Sequence, residues 1–548
     1  MHDGDEGHVH AGYIDEVALP APEDRYGPWR ASADPAKDLN FDSTSVAMSW
    51  MVAVLLLSAL APLFVVEIPA MIDYVNHLAR MKLLSAGTVS PAYEVRWRLY
   101  PNLAMDLVVP LLGKFMSVET AGKAFLGMSE ALVVTGGIAL EFAVKRRHRL
   151  GGLSALAVLF SLPFAWGLTN FMCAMGVATW GVALWITLRS RGPLLRWTVH
   201  AGIVLILFVS HLFALGVYGL TIGLFELSAL AGRPSVGLLL RLGAFMASPV
   251  LMLIGVMAIS GGAVGAQGID WDFGLKLLWP LLFMNIYDQT LSVVTAAVLA
   301  GLLIALAIGR RLTLAKAGAW IGCGLLLTYA ALPRRLFGVA YVDVRLITAA
   351  ALILPAFLQV SLPLRPWRYA PVVLVVAVIL VNQASTARAW LSHQTDYQQI
   401  RESFRYLSPG DAVLIGLQDG SNALSPSDSP LYFAPTLAAP EAGAFVASLY
   451  SERGLQPIQP SAKFRPLAVR DLLDYLPTPL PILVAAANGA TDARVPPHVE
   501  GWLEHYQFLY LIGRAEPNPL PSRLTRIAEG ARFVLYRVDS ASGNEPHR

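Results

Sequence analysis

Cysteine is almost missing: of 548 residues only Cys173 and Cys323 are cysteines, and both lie inside apolar runs. That excludes a disulfide framework and any metal-type cysteine spacing. Charge is scarce too, at 14% of residues with a formal net charge of +3, too little to attract nucleic acid. No matched halves are visible, such as many transporters carry. A cleavable signal peptide is also not expected. Residues 1–45 are polar and acidic with several His ("MHDGDEGHVHAGYIDE") and read as a disordered cytoplasmic tail, so the first apolar segment should stay as an anchor.

Hydrophobic residues, in contrast, make up 55% of the chain, and its mean hydropathy is +0.54. A soluble domain could not hide so much apolar surface. Repeated apolar stretches long enough to cross about 30 Å of hydrocarbon predict an α-helical polytopic membrane protein. About eleven spans are expected, near 46–66, 119–144, 152–168, 171–188, 198–213, 215–231, 239–259, 290–309, 316–333, 343–362 and 369–387. The stretch 198–231 barely holds two crossings and also fits one tilted helix with a bend. "NLAMDLVVPLLGKFM" is short and carries Asp106 and Lys114, which places it on the membrane surface.

The basic residues orient this set. With the N-terminus in the cytoplasm, "KRRHR" (145–149), "RSRGPLLR" (189–196), "AGRPS" (231–235), "GRRLTLAK" (309–316) and "RPWR" (365–368) all fall inside, as the positive-inside rule requires. The first loop, about 67–118, and residues 388–548 then face outwards. The latter form a soluble α/β domain, with β-like runs "DAVLIGL", "PILVAAA" and "ARFVLYRV" and a helical "DYQQIRESFRYL". The expected location is the inner (cytoplasmic) membrane of a bacterium, with membrane lipids around the spans.

Chemistry concentrates just after the first span, in "PAMIDYVNHLARMKLLSAG" (69–87). At helical spacing Asp73, Asn76, His77 and Arg80 share roughly a third of the circumference, opposite Met71, Val75 and Leu78. The segment reads as an amphipathic helix on the outer surface, apolar side down. Its polar face offers a potential base and a fixed cation, with Glu67 one turn earlier. The bland alternative is a wetted face with an ordinary Asp73/His77 pair. On the same side fall Asn170, His211, Asp270, Asp272, Tyr287, Asp288, Arg334, Arg335, Asp343 and Arg345. Arginines on the side where the rule disfavours them suggest an anion receptor, since guanidinium forks suit phosphate oxygens. Snorkelling to headgroups is the competing reading of Arg334 and Arg335. For His211 it is helix packing, and for Asp270 and Asp272 loop solvation.

The first span, the acidic loop "EIPAMIDYVNHLARMKLL", the surface helices and the continuation "SVETAGKAFLGMSEALVVTGGIALEFAVKRR" together resemble the GT-C superfamily of membrane glycosyltransferases. That superfamily includes protein O-mannosyltransferases and the aminoarabinose transferases of lipid A. The resemblance implies an enzyme that inverts the anomeric carbon. Its donor would be a polyprenyl-phosphate sugar, and its acceptor a lipid, glycan or protein of the envelope. It implies Asp73 as base, with His77 orienting it or sharing its proton, and Arg80, Arg334, Arg335 and Arg345 holding the departing phosphate. Glu67, Asn76, His211 and Asp343 complete the candidate substrate site. The usual Asp-Glu pair is here Asp-Tyr with a His four residues on, which leaves open the subfamily and the use of a divalent metal (Mg or Mn). A flippase of lipid-linked sugars, with a helix break at 260–268, or a non-catalytic envelope-assembly protein are the alternatives.

Overall fold

The computed structural model describes residues 35–539, apart from 88–89, 99–100, 147–149, 231–234, 260–269, 285–286, 337–338, 362–368, 419–428, 453–455 and 491–494. Residues 1–34 of the expected tail and the expected break at 260–268 lie outside the described residues.

Helix α1 (Pro35–Leu60) leads through a short turn at Pro62–Val65 to α2 (Tyr74–Ala86), which stops at Gly87. That glycine has φ +58°, the left-handed cap that a residue without Cβ adopts at no steric cost. Next come α3 (Ala104–Leu112), α4 (Val118–Lys145), α5 (Gly151–Leu159), α6 (Thr169–Thr187), α7 (Pro193–Ser210), α8 (Leu212–Leu230) and α9 (Val236–Ile259). They are followed by α10 (Phe273–Leu282), α11 (Gln289–Ile308), α12 (Lys316–Ala331), α13 (Val342–Ile353) and α14 (Ala370–Ser392).

Among the described residues eight helical segments are long and apolar enough to cross a membrane, so the chain is a multi-pass membrane protein. They coincide with eight of the eleven expected spans. The other three fall on shorter helices, α5, α12 and α13. Segment 198–231 is two helices, α7 and α8, joined at His211 in extended conformation (φ −168°, ψ 117°). α3 is short, as expected.

α4 packs against α5 and α6 through glycines. A Cβ on Gly151 would sit 2.2 Å from the Gly137 carbonyl oxygen, and one on Gly136 would sit 2.1 Å from Thr179 Oγ1. Small residues allow this approach in a bilayer, where van der Waals contact is a main source of helix association. Caps follow the sequence: Ser117 accepts from Thr120 N at the start of α4. Asp272 and Asp288 cap α10 and α11 by accepting from Leu275 N and Leu291 N.

After α14 the chain continues as α15 (Gln394–Ser403) into the C-terminal domain. There a six-stranded sheet runs in the order β7-β8-β6-β2-β3, with β5 also on β2. The strands are β2 (Ala412–Leu417), β3 (Phe445–Val446), β5 (Thr478–Pro479), β6 (Phe508–Ile512), β7 (Leu524–Gly530) and β8 (Phe533–Val538). β2 is parallel to β3, β5 and β6. "DAVLIGL" and "ARFVLYRV" are strands as expected. "PILVAAA" is instead a helix, α16 (Leu480–Ala487), with proline in its first turn. Alanine's helix propensity and a preset proline φ outweigh the β-branched pair there. A strand of the first loop, β1 (Tyr93–Val95), pairs antiparallel with β4 (Ile458–Pro460), Tyr93 opposite Pro460. This pairing joins the loop to the C-terminal domain.

Candidate active site

The segment before α2 is held by backbone contacts on three sides. Tyr287 Oη donates to Ala70 O at 2.9 Å, and Gln394 Nε2 donates to Ile68 O at 2.9 Å. Asp73 N donates to Trp166 O at 2.8 Å. Beside that bond Gly167 has φ +80°, and a Cβ there would lie 2.7 Å from Tyr74 N. Only glycine lets the chain pass so close, so the Trp166–Gly167 corner places Asp73.

The polar face of α2 is not wetted, as amphipathicity predicts. Asn76 and Arg80 are fully buried and His77 nearly so, because the C-terminal domain covers the side that the membrane bundle leaves open. Each polar group therefore has a defined place. Asn76 donates to Ser448 O (2.7 Å) and accepts from Tyr450 N (2.8 Å), clamping the chain just after β3. Arg80 makes two 2.8 Å hydrogen bonds to Asp106 of α3. This explains why α3 carries an acid, and it leaves Arg80 occupied by a carboxylate.

Asp73 is only partly buried. Its Oδ1 accepts from Tyr450 Oη at 2.8 Å. Burial pushes the carboxyl up to about 6, against the opposing pulls of the Tyr450 hydrogen bond and the Arg345 charge. The same burial, with Asp73 beside it, drives the Tyr450 phenol well above its ordinary range, so the tyrosine stays a donor. His77 is held well below the usual imidazole range by burial and then by Arg80, and is neutral. Among the described residues no side-chain hydrogen bond links His77 to Asp73. Its ring lies 5.7 Å from that of Tyr450, and Nδ1 has no partner.

Arg345, from α13, reaches the same place. One of its terminal nitrogens is 2.7 Å from His211 Nε2. Since a guanidinium only donates, that nitrogen accepts. Phe171 backs both, 5.5 Å from the imidazole and 5.6 Å from the guanidinium carbon. The Arg345 charge acts on Asp73 directly. Asp73, Asn76, His77, His211 and Arg345 are thus brought together, with Tyr450 added.

The other candidates are engaged elsewhere. Glu67, 61% exposed along its side chain, pairs with Arg401 of α15. Arg335 makes a two-pronged contact with Asp471 at 2.8 and 2.9 Å. Arg334 donates to Tyr341 Oη (3.1 Å) and lies 4.9 Å from that ring. Asp343 is fully buried and accepts from Val344 N with Oδ1. Among the described residues no three His, Cys, Asp or Glu side chains could jointly hold a metal ion.

Tyr450 carries no sequence signal. Its place just beyond the carboxyl end of β3, the edge of a parallel sheet where functional residues collect, is visible only once the domain is folded.

No family model matches the chain, and no curated protein matches it in sequence. Among solved structures, ArnT from Cupriavidus metallidurans bound to undecaprenyl phosphate is 13% identical, with 91% of this chain and 100% of that chain covered and a TM-score of 0.46. ArnT from the same organism in the apo state is 14% identical, with 90% and 98% covered and a TM-score of 0.50. By its likeness to the apo structure, this chain has the fold of ArnT.

Proposed function

We propose that the chain is a membrane glycosyltransferase. It moves a sugar from a polyprenyl-phosphate donor to an acceptor hydroxyl of the cell envelope, at the outer face of the membrane. One observation carries this reading: the partly accessible Asp73 carboxylate, held by Tyr450 Oη at 2.8 Å, lies close enough to the buried Arg345 for that charge to act on it. A base tuned towards neutrality and a cation that can receive an anion are the two groups such a transfer needs.

Asp73 takes the proton of the acceptor hydroxyl as its oxygen attacks the anomeric carbon. The bond from that carbon to the phosphate oxygen breaks with inversion, and polyprenyl phosphate leaves with the bonding pair. Arg345, oriented by His211, faces the charge that grows on the phosphate. His77 keeps a neutral wall beside the base, and Arg334 is the remaining candidate for the outer headgroup. The lipid chain packs against the apolar surface of the spans. The shared fold supports this reading by analogy; ArnT has been solved with undecaprenyl phosphate bound, and the same ligand class is proposed here.

The test is product analysis. Purified protein in vesicles receives undecaprenyl-phosphate sugars with a labelled glycosyl group, together with an envelope extract. The label should move into a new molecule with wild-type protein and stay on the lipid with Asp73→Asn. Label that crosses the bilayer while still attached to the same lipid would show a flippase.

A further inference from the structure

We infer that Tyr450, delivered by the C-terminal domain, is the positioning residue of Asp73: its hydroxyl fixes one carboxylate oxygen and leaves the other to face the acceptor. The inference rests on the reading of Asp73 as the base. Three facts support it. The hydroxyl is 2.8 Å from Asp73 Oδ1, and no described residue engages Oδ2. The tyrosine cannot turn away, because its ring is packed 5.3 Å from Phe433, 5.2 Å from Tyr475 and 5.7 Å from His77. Its own backbone N–H is held by Asn76 Oδ1 at 2.8 Å. A donor locked by packing and by second hydrogen bonds is what holds a reacting group to a fraction of an ångström.

This assigns to Tyr450 the orienting role that the sequence suggested for His77. It also gives the soluble domain a part in the chemistry: the domain completes the site by reaching 377 positions back along the chain to Asp73. The charged and titratable groups facing Asp73 are Tyr450 from the domain, Arg345 from α13 with His211 behind it, and His77 and Arg80 from its own helix. Of these, Tyr450 alone hydrogen-bonds to the carboxylate among the described residues.

Tyr450→Phe keeps the ring and its packing and removes only the hydroxyl. An ionised carboxylate loses a donor that favoured it, so Asp73 should hold its proton to higher pH, by about one to two units. The first measurement needs no substrate. Infrared difference spectra of the purified protein, titrated from about pH 4 to about pH 9, show the carboxylic-acid band that disappears in Asp73→Asn. Its midpoint should lie near 6 in wild type and move up in Tyr450→Phe. The second is the pH profile of transfer from undecaprenyl-phosphate sugars, whose acid limb should move by the same amount, with kcat lowered and KM kept. A midpoint and limb that stay at the wild-type position overturn the inference, whether or not the plateau falls. Should Tyr450→Phe not yield folded protein, Asn76→Ala, which frees the Tyr450 backbone, is read by the same two criteria. An Asp73→Asn variant that still transfers refutes the glycosyltransferase base instead, and the infrared midpoint separates the two failures.

Discussion

Arg80 invites a phosphate-binding role by its place on the polar face of α2, yet the structure gives it an intramolecular partner, and the two roles predict different energetics. The guanidinium and Asp106 have 0% side-chain accessibility and meet in two hydrogen bonds of 2.8 Å. No solvent screens the pair, so neutralising one member strands a buried charge. Losses of this kind cost about 3–5 kcal/mol. Asp106→Leu leaves the buried Arg80 guanidinium without its partner, so about 3 kcal/mol or more is expected. Arg80→Met should cost as much, since Asp106 is then the stranded ion. Combining Arg80→Met with Asp106→Leu removes both charges, and the double variant should recover most of the loss, with a coupling energy of about 2 kcal/mol or more. Denaturant titration of the detergent-solubilised protein reads all four corners of the cycle. Single variants within about 0.5 kcal/mol of wild type, or a double variant equal to the sum of its singles, would refute the reasoning. An Arg80→Met protein of normal stability that had lost undecaprenyl phosphate binding would point back to the phosphate role.

Asp73 must be ionised to act as base, so kcat/KM for transfer should fall as pH drops through about 6 and level off above it; a flat acid side from pH 5 to 7 would contradict the assignment. Asp73→Asn should lower turnover by about 10²–10⁴-fold with unchanged yield in the membrane. Arg345→Lys keeps the charge but loses the planar fork, and should weaken undecaprenyl phosphate binding about tenfold or more, measured by titration in detergent. Gly167→Ala forces a Cβ to within 2.7 Å of Tyr74 N at φ +80°, so it should reduce both folded yield and turnover; a fully active alanine variant would show that this corner does not place Asp73.

The membrane architecture was legible because hydropathy and basic loops depend on composition over twenty residues, not on detail. Where the chain bends or shortens, as in α5, α12 and α13, apolar composition continues while the helix does not, and length was overstated. Asp73 stood out because an acid at the end of a span needs a reason to be there. Arg80 and Arg335 could not be sorted from Arg345 by sequence, since their partners Asp106 and Asp471 are chosen by tertiary contact. Tyr450 was invisible for the same cause. "PILVAAA" misled because a short apolar run is consistent with either strand or helix until its neighbours are known.

The proposed transfer requires Asp73 to lie at the outer face of the membrane. Glu67, six residues earlier and accessible, can report the side: Glu67→Cys in a Cys323→Ser background, with Cys173 buried, is treated with a membrane-impermeant maleimide on intact spheroplasts. The prediction is full labelling from outside. Labelling only after lysis would place the carboxylate in the cytoplasm, and transfer at the outer face as described here would be impossible.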